Sequence, residues 1–501
     1  MKDWFDHLLS KVTMYRLVTI SLCTLLVLSI FLAAIGYLSY SPVSIALTSL
    51  LLVGTSYIAN RLHGWMFDVK PHGESAVITG LILTFILAPL TTTVSAIPLM
   101  LIAVIATASK YLLAFRGRHI FNPAAVGALF ASLSGLGYAI WWVASPALIP
   151  LTALITFLIL YKTRHLTLGA LFIFLATAIV TVQYVLVGES LQVAVVTVLT
   201  SWPLLFFAGV MLSEPLTLPP RRWQQLAIAG LVAVLFGAPI EFGTVSMTPQ
   251  LALIIGNIVA FLWGTRQAIR LKFKQKIQLT PSSYEFIFDT VGRSPKFTAG
   301  QYMELTLPHK KADMRGQRRM FTIASSPLDR TIRFGIKIPK THSSFKTALS
   351  GLKPDQVITA TKTSGDFVMP RDTKKPLLWI AGGIGVTPFV SFARQLVHTH
   401  ETRDVVLVYS AASQEEIAYI DELKKAGVAI VTVTPEGKAS KSNGKHITAP
   451  FITAEILGES VKDIASRQVY ISGPPIMVNH TKRLARKLGA RSVKTDYFTG
   501  Y

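Results

Sequence analysis

The chain has 501 residues, 51% of them hydrophobic and 15% charged, with a mean hydropathy of +0.49 and a formal net charge of +23. That composition excludes an average water-soluble domain and a disordered tail. Residues 1–265 carry 12 Lys and Arg against 7 Asp and Glu, whereas residues 266–501 carry 37 against 19, so two solvents and at least two domains are implied.

Ten apolar stretches run at about 16–38, 42–59, 75–91, 94–114, 122–138, 146–160, 167–187, 191–212, 225–240 and 249–264. Several approach the roughly 20 residues that a spanning helix needs, which predicts about ten spans. The loops give an independent test, because Lys and Arg are retained on the cytoplasmic side. Lys2, Lys11 and Arg16 precede the first stretch, Arg61 and Lys70 follow the second, and Lys110, Arg116 and Arg118 follow the fourth. Lys162 and Arg164, Arg221 and Arg222, and Arg266 and Arg270 continue the alternation. Every intervening loop has none. The pattern predicts a multi-pass protein of a bacterial cytoplasmic membrane, with both termini and the polar C-terminal half on the cytoplasmic side and no cleavable signal peptide.

Two segments, His72–Gly80 and Ser213–Pro220, stand five spans apart, an offset expected of an inverted repeat with a ligand site between its halves. Between the fourth and fifth stretches, Asn122 and Pro123 mark a helix start. Its free amides, beside Arg116, Arg118 and His119, suit a phosphate, although positive-inside charges and a cap explain the same residues. His63, His72, His119 and His165 all fall at span ends, which argues against a transmembrane haem. The single cysteine, Cys23, rules out an internal disulfide and Cys-ligated zinc or iron–sulfur sites, and no metal is expected.

Taken together, the segment from Gly73 to Leu81, the turn from Arg116 to Ala125 and the loop from Ser213 to Thr217 resemble the flavin-carrying membrane subunits B of the sodium-pumping NADH:quinone oxidoreductase and D of the Rnf complex. The resemblance covers residues 15–265. It implies an FMN in the membrane domain, with Ser75, Thr79, Arg116, Arg118, His119 and Asn122 as candidate contacts. The family's Ser-Gly-Ala-Thr attachment sequence is absent, so a non-covalent FMN is expected, with an empty site as the alternative.

After Arg266 the pattern changes to short alternating runs, Lys276–Leu279, Tyr284–Asp289, Tyr302–Leu307, Arg319–Ala324, Thr331–Ile338 and Gln356–Thr361, which predict a small antiparallel barrel behind a linker at 266–276. From Lys375 the order is apolar strand, glycine-rich turn, helix and apolar strand, a parallel α/β sheet. The turn is Gly382-Gly383-Ile384-Gly385-Val386-Thr387-Pro388, whose backbone lets a pyrophosphate approach a helix start. Regular alternation on Arg319-Met320-Phe321-Thr322 would put Arg319 and Phe321 on one face and Met320 and Thr322 on the other.

With Ser343-Ser344, Gly473-Pro474 and the terminal Asp496–Tyr501, these motifs closely resemble the ferredoxin-NADP reductase superfamily over residues 270–501. The resemblance implies that Arg319 binds the FAD pyrophosphate with Ser343 and Ser344, that Phe321 packs on the flavin and that Thr322 reaches its N5 edge. Gly382, Gly383, Gly385, Thr387 and Pro388 would shape the nicotinamide nucleotide site, flanked by Gly473, Pro474 and Met477. Asp496 and Phe498 take the places of the acidic and aromatic residues near the isoalloxazine, and Ser472 stands where a cysteine is usual. The stretch Val408–Glu416 has no base and two acids, which favours NADH and leaves NADPH open.

The expected architecture is therefore a ten-span membrane domain (1–265) fused to a FAD-binding barrel (266–372) and an NAD(P)-binding α/β domain (373–501). The expected function is electron transfer from NAD(P)H through FAD to a membrane FMN and on to a quinone or an extracytoplasmic acceptor. The alternatives are a transporter with a reductase domain and a membrane-anchored flavin reductase. The basic charge accompanies dinucleotide motifs, so no nucleic acid is expected. Oligomeric state is not legible.

Overall fold

The computed structural model describes residues 9, 12–68, 71–91, 95–115, 118–219, 221–242, 245–263, 269–292, 294–309, 317–436 and 445–498. The chain divides between residues 267 and 268 into a helical unit and a β-rich unit.

In the helical unit every predicted apolar stretch contains helix: α1 (Met14–Ala34), α2 (Pro42–Met66), α3 (Gly73–Ile86), α4 (Ala96–Leu112), α5 (Pro123–Ser134), α6 (Ile149–Thr163), α7 (Leu166–Leu186), α8 (Leu191–Ser201) with α9 (Leu204–Leu212), α10 (Arg222–Gly237) and α11 (Pro249–Leu262). Thr13, Ser41, Asn122, Ser190 and Thr248 cap first-turn amides, and Pro42, Pro123 and Pro249 open helices where a missing N–H costs little. Among the described residues, four helices suffice by length and composition to cross a bilayer, including Pro146–Thr163, and α8 with α9 makes a fifth if the 51° bend is counted within one span. Helices α3, α4, α5, α10 and α11 are shorter, at 10–17 residues. Pro203 lies in the break between α8 and α9, and the turn at Phe207–Leu212 is π-helical.

The packing repeats with a five-stretch offset. Helix α1 packs on α3, α2 on α3 and α4, and α4 on α5; likewise α6 packs on α9, α7 on α8 and α10, and α10 on α11. The two halves meet through the equivalent pairs α1 with α6 and α5 with α11. Matching triplets mark the duplication: Gly73-Glu74-Ser75 at the start of α3 reappears as Gly188-Glu189-Ser190 before α8, and Pro89-Leu90-Thr91 reappears as Pro215-Leu216-Thr217. The expected pairing of His72–Gly80 with Ser213–Pro220 therefore matched the head of one copy with the tail of the other.

The β-rich unit holds two sheets. Strands β1 (Ile269–Gln278), β2 (Ser283–Val291), β3 (Tyr302–Thr306), β4 (Arg318–Thr322), β5 (Thr331–Lys337) and, after helix α12 (Ser344–Ser350), β6 (Val357–Ser364) pair antiparallel in the order β4-β3-β6-β1-β2-β5. Ala324 N donates to Arg333 O at 2.8 Å and draws the sheet's two ends together. The expected linker is a correction: strand β1 begins at Ile269, because Ile269, Leu271 and Phe273 alternate inward while Arg270, Lys272 and Lys274 alternate outward.

The second sheet comprises β7 (Leu377–Gly382), β8 (Val405–Ser410), β9 (Ala429–Thr434), β10 (Lys445–Thr448), β11 (Gln468–Gly473) and β12 (Val493–Tyr497), all parallel, in the order β10-β9-β8-β7-β11-β12. Helices α13 (Thr387–Thr399), α14 (Ile420–Lys425), α15 (Ala454–Ser460) and α16 (Pro475–Lys487) connect them. Strands β7 and β11 are buried along their whole length, so the glycine-rich turns at their C-terminal ends start from a fixed floor.

Candidate active site

On β4, Arg319 and Phe321 share a face, and both reach Phe345: the Arg319 guanidinium lies 5.4 Å from its ring centroid and the Phe321 ring 5.8 Å away. Met320 and Thr322 differ in their surroundings, Met320 being exposed and Thr322 buried. Thr322 ends the strand, where it meets the C-terminal edge of the second sheet instead of solvent. Its hydroxyl donates to Asp496 Oδ2 at 3.5 Å.

Asp496 stands opposite Ser472 in the β11–β12 register, and Ser472 lies opposite Ala381, one residue before the glycine turn. Burial pushes the Asp496 carboxyl up to about 6, against the opposing effect of hydrogen bonds from Tyr497 N and Thr322. Tyr302, opposite Thr322, is pushed up to about 12 by burial and then by Asp496, Asp366 and Glu304. The Ser472 hydroxyl is fully buried and has no hydrogen-bond partner among the described residues, an arrangement that costs free energy unless a ligand supplies one.

The two glycine turns close on each other. A Cβ on Gly385 would stand 2.6 Å from Gly473 Cα and Ser472 O, and one on Gly382 would stand 2.9 Å from Met477 Sδ and 3.0 Å from Pro474 Cδ. Gly383, at φ +53°, faces open space. Thr387 Oγ1 donates to Ile384 O, Pro388 occupies the first turn of α13, and Phe498 N donates to Gly473 O at 2.8 Å. Ser343 caps α12, whereas Ser344 Oγ bonds His309 Nε2 at 3.0 Å. His309 therefore lies beside Ser344 although no pattern in the sequence marked it; it follows the end of β3 at Thr306, and its partner lies 35 residues away.

These residues fit a flavin dinucleotide and a nicotinamide nucleotide. The argument for NADH loses one of its acids, because Glu416 Oε2 accepts from Ser282 at 2.6 Å and Thr280 at 3.2 Å, leaving exposed Glu415.

In the helical unit the structure places the candidates differently. Arg116 lies outside the described residues, as do Lys2, Lys11, Lys70 and Arg266, and only the backbone of Arg118 is described. Asn122 Oδ1 caps Ala124 N and Ala125 N, its Nδ2 donates to Glu214 Oε2 at 3.0 Å, and its own N–H goes to Asn257 Oδ1 at 2.8 Å. His119 Nε2 meets Glu214 Oε1 at 3.2 Å. The helix start marked for a phosphate is thus already faced by a carboxylate, so an FMN phosphate does not fit there. Ser75 and Thr79 line a cleft together with Tyr15, Asn122 and Glu214 on the polar side and Val18, Ile78, Ile82 and Val210 on the apolar side. Lys110 Nζ donates to Ser75 O and Oγ, both at 3.0 Å.

Comparison with known proteins bears on the β-rich unit. A family model for the oxidoreductase NAD-binding domain matches residues 379–483. The propane 2-monooxygenase reductase component of Rhodococcus jostii is 26% identical over 200 residues, 39% of this chain and 53% of that protein. An NADPH oxidoreductase of Mycobacterium tuberculosis is 23% identical over 233 residues, 46% of this chain and 59% of that one. Ferredoxin–NADP reductase B of Sorangium cellulosum is 27% identical over 218 residues, covering 42% of this chain and 87% of the reductase. The chain thus spans little more than half of the first two relatives. The C-terminal half is a ferredoxin-NADP reductase-like FAD/NAD-binding module of the oxidoreductase class.

Proposed function

We propose that the protein is a membrane-bound flavoprotein reductase that takes a hydride from NAD(P)H in its C-terminal module and delivers electrons to an acceptor held by its helical half. The observation that carries the reading is the convergence of Arg319, Phe321 and Phe345 on one side, and Thr322, Asp496 and Ser472 on the other, at the C-terminal edge of a parallel sheet.

A bound FAD supplies a two-electron acceptor that can also give electrons up singly. Arg319 holds phosphate oxygens with a planar fork, and Ser343 and Ser344 add hydrogen bonds beside it. Phe321 and Phe345 keep water from the ring face. Gly382, Gly383 and Gly385 admit the nucleotide backbone, while Pro474 and Met477 flank the nicotinamide. Thr322 holds a hydrogen bond at the N5 edge, and Asp496 behind it exchanges a proton near neutral pH.

For the helical half, exposed apolar side chains such as Trp65, Leu186, Val187 and Leu262, with Lys and Arg clustered at alternate helix ends and loops, support ten short or full spans in a bacterial cytoplasmic membrane with the reductase module on the cytoplasmic side. The acceptor is a quinone or an extracytoplasmic group. The resemblance to the flavin-carrying subunits supports an FMN relay, but no step through FMN is assigned, since the Asn122 helix start does not fit its phosphate. The repeated five-stretch packing also favours a second reading, a solute transporter powered or sensed by the reductase.

Flavin analysis of the purified full-length protein tests both. Two flavins per chain and NADH-dependent reduction of a quinone in proteoliposomes support the relay. One flavin together with NADH-independent solute flux supports the transporter. A colourless preparation made with excess flavin overturns the first reading.

A further inference from the structure

The helix that begins at the nucleotide turn is fastened to the barrel by polar bonds at successive turns. On α13, Thr387, Ser391 and Arg394 are four and three residues apart and share one face. Ser391 Oγ donates to Ser325 O at 2.7 Å, and Arg394 Nη1 donates to Ala324 O at 3.1 Å. Ala324 and Ser325 directly continue the segment that carries Thr322. The same Arg394 nitrogen donates to Glu285 Oε1 at 2.9 Å, and Nη2 donates to Glu422 at 3.2 Å.

Glu285 is a buried acid in barrel strand β2, and it also accepts from Arg333 at 3.4 Å and from Tyr419 OH at 3.1 Å. Tyr419 reaches it through a gap left by a missing side chain. Gly335 lies directly opposite Glu285 in the β2–β5 register, and a Cβ there would stand 2.7 Å from Tyr419 OH and 2.6 Å from Thr387 Cγ2. Tyr419 itself sits at φ +64°, a left-handed conformation that is unfavourable for a bulky residue. Burial, followed by the charge of Glu285, pushes its hydroxyl well above the usual range, so it remains a donor.

We propose that Glu285, Arg394, Tyr419 and the Gly335 gap form a latch that sets the separation between the flavin edge at Thr322 and the nicotinamide turn at Thr387, which makes them positioning residues for hydride transfer. The inference rests on the proposed reductase activity. Its physical basis is that hydride transfer needs a narrow donor–acceptor distance, and a misplacement near 1 Å can cost about a hundredfold in rate.

The test uses flavin-loaded full-length protein mixed with NADH under anaerobic stopped flow. Gly335→Ala and Arg394→Met should slow flavin bleaching per bound flavin by about tenfold or more, and Tyr419→Phe by about threefold. The long-wavelength nicotinamide–flavin charge-transfer absorbance should weaken in parallel, while NADH affinity stays within about twofold. In flavin-free protein, amide exchange in the segments 283–291 and 387–399 should quicken in all three variants. A purely structural role would lower flavin content and melting temperature and leave the rate per bound flavin unchanged. Tyr419→Phe deletes one hydroxyl and serves where Arg394→Met fails to fold. Wild-type bleaching rates and charge-transfer bands in every variant that folds would overturn the latch alone. A wild-type protein that binds FAD yet is not bleached by NADH or NADPH would overturn the reductase reading, and the amide-exchange comparison then still decides whether the latch holds the two lobes.

Discussion

The helical and β-rich units differ in what they bury: mostly hydroxyls in the first, and ion pairs in the second. In the helices, Ser29, Thr84 and Thr107 return their hydroxyls to carbonyls four residues back on the same helix, while Asn122 makes longer-range bonds to Glu214 and Asn257. In the β-rich unit, largely buried arginines pair across long sequence separations, Arg467 with Asp404 and Arg394 with Glu285. Local satisfaction lets a helix complete its polar groups before it packs. Long-range pairing suits a module whose two lobes must meet in one register. Substitutions at the long-range bonds of each unit should reveal how far its assembly depends on them.

The largest effect is expected from Arg319→Ala. Removing the buried guanidinium should release FAD and lower NADH oxidation by about a hundredfold or more, as read by flavin content after gel filtration and by turnover. Full retention of both would break the barrel's role in the comparison. Gly385→Ala places a methyl group 2.6 Å from the Gly473 and Ser472 backbones. It should cost about 1–3 kcal/mol in denaturant unfolding and weaken NADH binding, because backbone cannot swing aside as a side chain can.

Glu214→Ala should act on the other unit alone. It strips the partner from His119 and from Asn122 Nδ2, which should cost about 1–3 kcal/mol in detergent melts and leave NADH oxidation with a soluble acceptor unchanged. A fall in that oxidation would show that the two units are not energetically separate.

An effect that vanishes at low pH concerns Asp496. Its carboxyl is raised from 3.8 to about 6, so the folded state favours the protonated form. The wild type carries no penalty below the unfolded value and an increasing one as pH rises through the folded value. Asp496→Asn removes the ionisation, so its stability relative to wild type should grow from about pH 4 upward and level off above about pH 7, by about 3 kcal/mol at most. Urea melts across that range check the sign. An inflection near 6 in the pH profile of flavin bleaching should vanish in the same variant.

Local patterns made much of this legible. Apolar runs located every described α-helix of the helical unit but not α14, α15 or α16, and the motifs around Arg319, Gly382 and Gly473 located residues that the fold does bring together at one sheet edge. Strand β1 was obscured because its outward lysines look like linker charge. The Glu285 latch left no local trace: its partners are 109 and 134 residues distant, and an acid in a strand carries no sign of which helix will cross above it. Glu214 escaped for the same reason, lying 95 and 92 residues from His119 and Asn122. A helix cap can be read from sequence, but the charge that another segment delivers to it cannot.

The tether at Glu416 bears on coenzyme redesign. Acids after the second strand of such sheets are tempting targets for converting preference between phosphorylated and unphosphorylated adenosine. Here Glu416 also clasps Ser282 and Thr280 of the neighbouring lobe, so exchanging it for arginine would loosen the hinge while altering selectivity. Glu415, which points outward one residue earlier, offers the cleaner handle.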